Sequence, residues 1–236
     1  MFKEVIILAG GFGTRLQSVV SDVPKSMALV NGRPFLEYIL DHLEFFSIKK
    51  VILATGYKHE LVEAHFGKKY KYLKLEYSTE IEPLGTGGAI KKALALCETR
   101  KVLILNGDSL FKVNIGKLND FMLVQRARCT LVLHQVEDVS RYGCVEADNR
   151  AVITRFSEKG KATGPGLING GVYVLDKSLI DELQLPDKFS FEKDFLEKYY
   201  TEIPFHAMVC KQYFLDIGIP EDYEKAQTDF AQFPQY

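Results

Sequence analysis

"EVIILAGGFGTRL", residues 4–16, runs five consecutive apolar residues into a turn that holds three glycines and one arginine. A short run of Val, Ile and Leu bounded by glycine is the pattern of a strand buried on both faces, as in a parallel sheet covered by helices. Glycines after such a strand let backbone N–H groups come close to a pyrophosphate, and Arg15 adds a fixed positive fork suited to phosphate oxygens. The turn does not complete a dinucleotide fingerprint. Leu16 stands where the third glycine of G-x-G-x-x-G belongs, and the second strand, "VILATGY", ends without an acidic residue. No Gly-Lys-Ser or Gly-Lys-Thr occurs, which excludes the P-loop pattern. A phosphate-contacting turn remains, with the owner of the phosphates open.

Working outward, apolar runs recur at "KKVILAT" (49–55), "RKVLILNGD" (100–108) and "CTLVLHQV" (129–136). Segments of helical period separate them. After Pro34, Phe35, Leu36, Ile39, Leu40, Leu43 and Phe46 fall on one face, and 58–66, 86–97 and 116–126 read similarly. From about residue 129 the strands come closer together: "YGCVEAD", "AVITRFSE" and "LINGGVYVLD" are joined by turns. Helices near 190–199 and 220–231 bracket a last strand pair, "IPFHAMV" and "QYFLDIG". The pattern predicts an α/β fold, Rossmann-like and doubly wound, with a mostly parallel sheet and a small antiparallel addition. One domain is expected over 1–236, its nucleotide-binding half at about 1–128 and its acceptor-binding half at about 129–236.

Composition narrows the function. The chain of 236 residues is 47% hydrophobic, and 30 basic against 31 acidic side chains leave a net charge of -1. No global field draws it to nucleic acid or an anionic membrane, so anions must be handled locally. No apolar run approaches the roughly 20 residues needed to span a bilayer, and the N-terminus lacks a signal-peptide pattern; a cytoplasmic protein is expected. Cys97, Cys129, Cys144 and Cys210 are widely spaced and read as free thiols, and the five histidines lack metal-ligand spacing.

Further motifs have bland readings as well as functional ones. Lys25 in "VPKSM" is stiffened by Pro24 but reads alone as a solvated lysine. "EPLGTGGAI", 82–90, is a helix start with Thr86 as candidate cap. Asp108 ends "VLILNGD" just outside the carboxyl end of a buried strand, where open α/β sheets bind ligands, though Asn-Gly-Asp also suits a plain turn. Asp216 ends a second apolar run in "FLDIG".

Taken in order from Leu8 to about Tyr223, "LAGGFGTRL", "VPKSM", "LGTGGA", "NGDS", "SEKG", "NGGVY" and "FLDIG" resemble the sugar-nucleotide pyrophosphorylases, which join a nucleoside triphosphate to a sugar 1-phosphate. Within that family the chain is most similar to short bacterial guanylyltransferases acting on heptose 1-phosphate. Mannose-1-phosphate guanylyltransferases, enzymes using another nucleotide, and a nucleotide-sugar-sensing paralogue without turnover are the alternatives. The resemblance implies a glycosyltransferase-A-like nucleotidyltransferase fold. It implies that Leu8, Gly10, Gly11, Gly13, Thr14, Arg15, Gly85, Thr86, Gly87 and Gly88 bind the nucleotide, with the glycines near the base. Arg15, Lys25 and Asp108 carry catalysis, and Asp108 and Asp216 hold one Mg²⁺. Lys25, Tyr142, Gly143, Glu158, Lys159, Asn169 and Gly170 meet the sugar phosphate. The chemistry agrees: two phosphorylated substrates bring about six negative charges, so the reaction needs counter-charge and alignment more than an acid or base.

The chain departs from the family pattern at Ser26 and Gly160, where proline is usual, at Phe214, where tryptophan is usual, and at Ile219, where threonine is usual. None of these removes a charged group. The expected partners are the two substrates, with a homodimer plausible and no room for the repeat-built C-terminal domain of longer relatives.

Overall fold

The protein is described by a computed structural model over residues 1–11, 13, 16, 19, 20, 22–157 and 161–233. In chain order the first elements are β1 (Glu4–Leu8), β2 (Leu29–Val30), β3 (Arg33–Pro34), α1 (Phe35–Glu44), β4 (Lys50–Thr55), α2 (His59–Phe66), β5 (Lys69–Tyr70) and β6 (Leu73–Thr79). Next come α3 (Gly85–Leu94), β7 (Lys101–Asn106), β8 (Ser109–Phe111), α4 (Ile115–Gln125), β9 (Cys129–Val136), β10 (Cys144–Ala147) and β11 (Ile153–Ser157). Then follow β12 (Gly166–Asp176), α5 (Ser178–Glu182), a π-helical turn at Phe191–Leu196, α6 (Glu197–Tyr199), β13 (His206–Cys210), β14 (Phe214–Asp216) and α7 (Pro220–Phe230).

Eight strands form the main sheet in the order β13-β9-β12-β7-β1-β4-β6-β5. β1 lies between β4 and β7, parallel to both, and β6 continues the parallel run beside β4. β12 runs against β7 and β9, while β13 is parallel to β9. Six of the eight strands therefore point one way, opposed only by β12 and the two-residue β5.

Three antiparallel ribbons, β2–β3, β8–β14 and β10–β11, lie outside the main sheet, and further antiparallel pairing is built into it. β12 sits inside the main sheet, and its residues 170–176 are all buried. "GGVYVLD" reports burial on both faces but carries no direction, which is why the sequence did not locate it. The last two strands also separate: β13 joins the edge of the main sheet, whereas β14 pairs with β8 in its own ribbon. β6 was absent from the expected strands because one side of "LKLEYST" faces outward and carries Lys74 and Glu76, hiding the apolar signal.

Alternation along the parallel strands builds two cores. Val5, Ile7, Val51, Leu53, Leu103 and Leu105 face the core shared with α1 and α7, where the Phe35 and Phe230 rings stack at 5.8 Å. Ile6, Ile52 and Ile104 face the other, with Ile90 of α3 and Phe191 and Phe195 of the π-helical turn. Each such fully buried side chain stabilises the fold by about 1.5–3 kcal/mol relative to exposure. The four cysteines are free thiols, and no helix among the described residues is long and apolar enough to cross a membrane.

α7 clasps the β2–β3 hairpin. The Tyr223 hydroxyl and the Gln227 side-chain amide both donate to the Leu29 carbonyl, and the Asn31 N–H donates to the Gln227 side-chain oxygen at 2.9 Å. At its other end α7 begins with Ile219 in an extended conformation and Pro220 in the first turn, with no side-chain cap. A hydroxyl there would accept an orphan helix N–H. Ile219→Thr is expected to stabilise the protein by about 1 kcal/mol, read as a higher urea midpoint at unchanged slope. A midpoint that stays put or falls would mean that the backbone cannot present the cap.

Candidate active site

The carboxyl ends of β1, β4 and β7 open on a cavity of about 380 Å³. Leu8, Gly10 and Gly11 line it from β1, Ala54 and Gly56 from β4, Asn106 and Asp108 from β7, and Glu80, Gly85, Thr86 and Glu192 from the surrounding loops. This is where a parallel sheet with helices on both faces presents its ligand crevice. A smaller cavity of about 200 Å³ adjoins it, sharing Leu8, Gly11 and Asp108 and adding Gly13, Lys25, Ser26 and Gly218.

Lys25 is the hub of the smaller cavity. It opens a 3₁₀ turn after Pro24, is only 8% exposed, and its Nζ donates to Asp108 Oδ2 at 2.6 Å and to Asp216 Oδ1 at 3.2 Å. The two aspartates meet because β8 and β14 pair with Asp216 opposite Ser109, and because the Ile217 N–H donates to the Asp108 carbonyl at 3.0 Å. Close approach explains two glycines. A Cβ on Gly218 would stand 2.9 Å from Asp216 Oδ1, and one on Gly13, whose φ is +62°, would stand 3.0 Å from Lys25 Cβ.

Burial and the Asp108 charge push the Asp216 carboxyl above the usual carboxylate range, against the pull of Lys25 and the Gly218 N–H. Two carboxylates thus converge on one ammonium and leave an excess of negative charge. That donor set fits a hard divalent cation, which takes oxygen ligands and keeps waters and substrate phosphates for its remaining positions. Among the described residues, no group of three or more His, Cys, Asp or Glu side chains forms a closed metal cage.

The loop before α3 differs from expectation. α3 starts at Gly85 with Leu84 in the cap position, and Thr86 does not cap it. The Thr86 hydroxyl instead donates to Glu192 at 2.7 Å and accepts the Phe191 N–H at 2.9 Å. Gly87 and Gly88 do not line the cavity. Their N–H groups donate to the Phe189 carbonyl, and a Cβ on either would collide with Phe189 or Asp187, so packing accounts for both glycines. Their place is taken by residues that sequence reasoning did not select: Glu80, Asn106 and Glu192. The Glu80 carboxylate accepts the Leu84 N–H at 2.9 Å, and burial pushes its pKa up. Glu80 is one of two glutamates in "STEIEP", and Glu192 lies 106 residues from Thr86, so neither carried a local signal.

Of the residues expected to meet the sugar phosphate, the Tyr142 ring meets Phe214 edge-on at 6.4 Å, and Gly143 has φ +80°. Phe214 and Asp216, two apart on a strand, share one face, which sets Tyr142 on the Asp216 side. Asn169 is held locally: its amide donates to the Tyr173 hydroxyl at 2.9 Å, and its oxygen accepts the Gly171 N–H at 3.1 Å. Gly170 sits in the β12 irregularity, where Phe111 occupies the space of a Cβ. Thr14, Arg15, Glu158 and Lys159 lie outside the described residues.

Residues 4–232 match the Nucleotidyl transferase family. The chain belongs to that family. It is 46% identical over 230 residues to a D-glycero-alpha-D-manno-heptose 1-phosphate guanylyltransferase of Aneurinibacillus thermoaerophilus, covering 98% of this chain and 99% of the relative. It is 43% identical to one of Campylobacter jejuni, covering 93% and 96%. The crystal structure of HddC from Yersinia pseudotuberculosis complexed with GMP-PN superimposes with a TM-score of 0.86 at 40% identity, covering 98% of this chain and all of that one. The two-cavity site therefore lies in a nucleotidyl transferase fold.

Proposed function

We propose that the protein transfers a guanylyl group from GTP to D-glycero-α-D-manno-heptose 1-phosphate, giving the GDP-sugar and pyrophosphate. The observation that carries this reading is the convergence of Lys25, Asp108 and Asp216 beside a nucleotide-sized cavity whose loop carries a half-buried carboxylate. The similarity to heptose 1-phosphate guanylyltransferases over nearly the whole chain supports both the base and the sugar.

In this reading the base and ribose occupy the larger cavity and the phosphates the smaller one. Guanine alone among the bases presents N1–H and N2–H₂ donors side by side, and the acceptor-only carboxylate of Glu80 complements that edge. Uracil and thymine would set two carbonyl oxygens around a single N–H against the same carboxylate. The sugar phosphate oxygen is already anionic, so it attacks the α-phosphorus without a general base. A bond forms from that oxygen to the α-phosphorus as the bond to the β-phosphate bridging oxygen breaks, and its electron pair leaves with pyrophosphate. Lys25 neutralises the α-phosphate and the incoming sugar phosphate, and Arg15 braces the departing β- and γ-phosphates. Asp108 and Asp216 would hold Mg²⁺, which when bound supplies counter-charge to the phosphate oxygens. Tyr142, Gly143, Glu158, Lys159, Asn169 and Gly170 receive the sugar phosphate.

A matrix of GTP, ATP, UTP, CTP and dTTP against heptose, mannose and glucose 1-phosphates, followed by pyrophosphate release, tests the reading. GTP with the heptose phosphate is expected to give the highest kcat/KM. No release from any pair in Mg²⁺ overturns the assignment, and equal use of mannose 1-phosphate removes its sugar. Base selection has its own variant. Glu80→Gln keeps the acceptor for Leu84 but puts a donor against guanine, so kcat/KM for GTP is expected to fall about 10- to 100-fold with UTP unaffected. An unchanged GTP preference would remove Glu80 from base reading.

A further inference from the structure

The loop at 138–143 is tied mostly to itself. The Tyr142 and Gly143 N–H groups donate to the Val139 carbonyl, the Val139 N–H donates to the Gly164 carbonyl, and Asp138 accepts from Ser140 and Gly164. An aromatic contact and an ion pair attach it to the segment that carries Asp216. Tyr142 meets Phe214 on one side of Asp216, and on the other side Arg141 Nη2 donates to Asp222 Oδ2 at 2.6 Å, in the first turn of α7.

An ion pair this open is a weak source of stability. The Arg141 side chain is 49% exposed and that of Asp222 17%, so solvent reaches the guanidinium and screens the pair. Asp222, although largely covered, lies in the first turn of α7, whose dipole favours its charge even without a partner. What the pair does fix is distance, between an acceptor-side loop and the carboxylate on the far side of Lys25.

We propose that Arg141 is a positioning residue: held by Asp222, it sets the loop at Tyr142 and Gly143 against Asp216 so that the sugar 1-phosphate is presented in line with the nucleotide α-phosphate. This rests on the guanylyltransferase reading. The nucleotide cavity has no wall from this loop, so the donor side is unaffected by the contact.

The test is a double-mutant cycle of Arg141→Ala and Asp222→Asn, with Arg141→Lys as the conservative variant. Initial rates are measured while GTP and sugar 1-phosphate are varied separately. Each single change is expected to lower kcat/KM for the sugar 1-phosphate about 10- to 100-fold, the double variant no further, with KM for GTP within about twofold and Tm almost unmoved. Arg141→Lys should recover part of the loss. A severe Arg141→Ala beside a silent Asp222→Asn overturns the proposal, since that pattern belongs to an arginine acting on substrate itself. Additive losses, or KM values for both substrates rising together with a fallen Tm, overturn it too. A wild-type protein that releases no pyrophosphate refutes the underlying reading instead, whereas an active wild type with an unimpaired Arg141→Ala refutes only the positioning role.

Discussion

Lys25→Ala is expected to lower kcat for pyrophosphate release about 10²- to 10³-fold, the cost of removing one preorganised charge from a phosphoryl-transfer site. The structure adds a second consequence with an unusual sign. Lys25 Nζ stands between Asp108 and Asp216, so it competes for the same oxygens that would hold a divalent cation. Without it the two carboxylates face each other with only a cation from solution to separate them. The variant should therefore bind Mg²⁺ more tightly than wild type by calorimetry while turning over far more slowly. Its Tm should fall in EDTA and recover on adding Mg²⁺, because a ligand that binds only the folded state stabilises it by mass action. Near-normal turnover in the folded variant would remove Lys25 from the reaction, and weakened Mg²⁺ binding would remove it from the competition.

Asp108→Asn is the complementary case. The amide preserves shape but removes one of two charges from the cation pair, so turnover should again fall about 10²- to 10³-fold, here with Mg²⁺ affinity reduced. Asp216 then has Lys25 to itself, and the like-charge repulsion that raises its pKa is gone. The pair of variants is diagnostic together. Equal loss of activity with opposite changes in cation affinity matches a lysine and an aspartate acting on one metal from opposite sides. Changes of the same sign would mean that the two residues do not share it.

Some of this was legible in the sequence, and the reasons are specific. β1, β4 and β7 could be read because strands buried on both faces must be continuously apolar, and α1 because Phe35 to Leu43 keep helical period against one core. The direction of β12 was not legible, since apolar content says nothing of orientation. Within the site, Lys25, Asp108 and Asp216 are legible from ordered motifs rather than local pattern: the aspartates lie 83 and 191 residues from Lys25, and the β8–β14 ribbon with the adjoining Ile217–Asp108 bond brings them together. Gly87 and Gly88 lie off the cavity and are required by packing against Phe189 and Asp187, and a glycine needed for packing and one needed for ligand approach look identical in a sequence. Glu80 and Glu192 had no signature, because a carboxylate becomes a cavity wall only when distant chain folds against it.

The bonds from Gly87, Gly88 and Thr86 to Phe189, Phe191 and Glu192 have a consequence for how the protein is made. A chain leaving the ribosome and arrested at residue 180 would contain β1, β4, β6 and β7, every parallel strand of the nucleotide-facing side. It would still lack Phe189 beneath α3, the Glu192 wall, and the Asp216 partner of Lys25. On the proposed reading nucleotide capture therefore waits for residues 181–216, and a nascent chain stopped short of them has no competent phosphate site to fill prematurely.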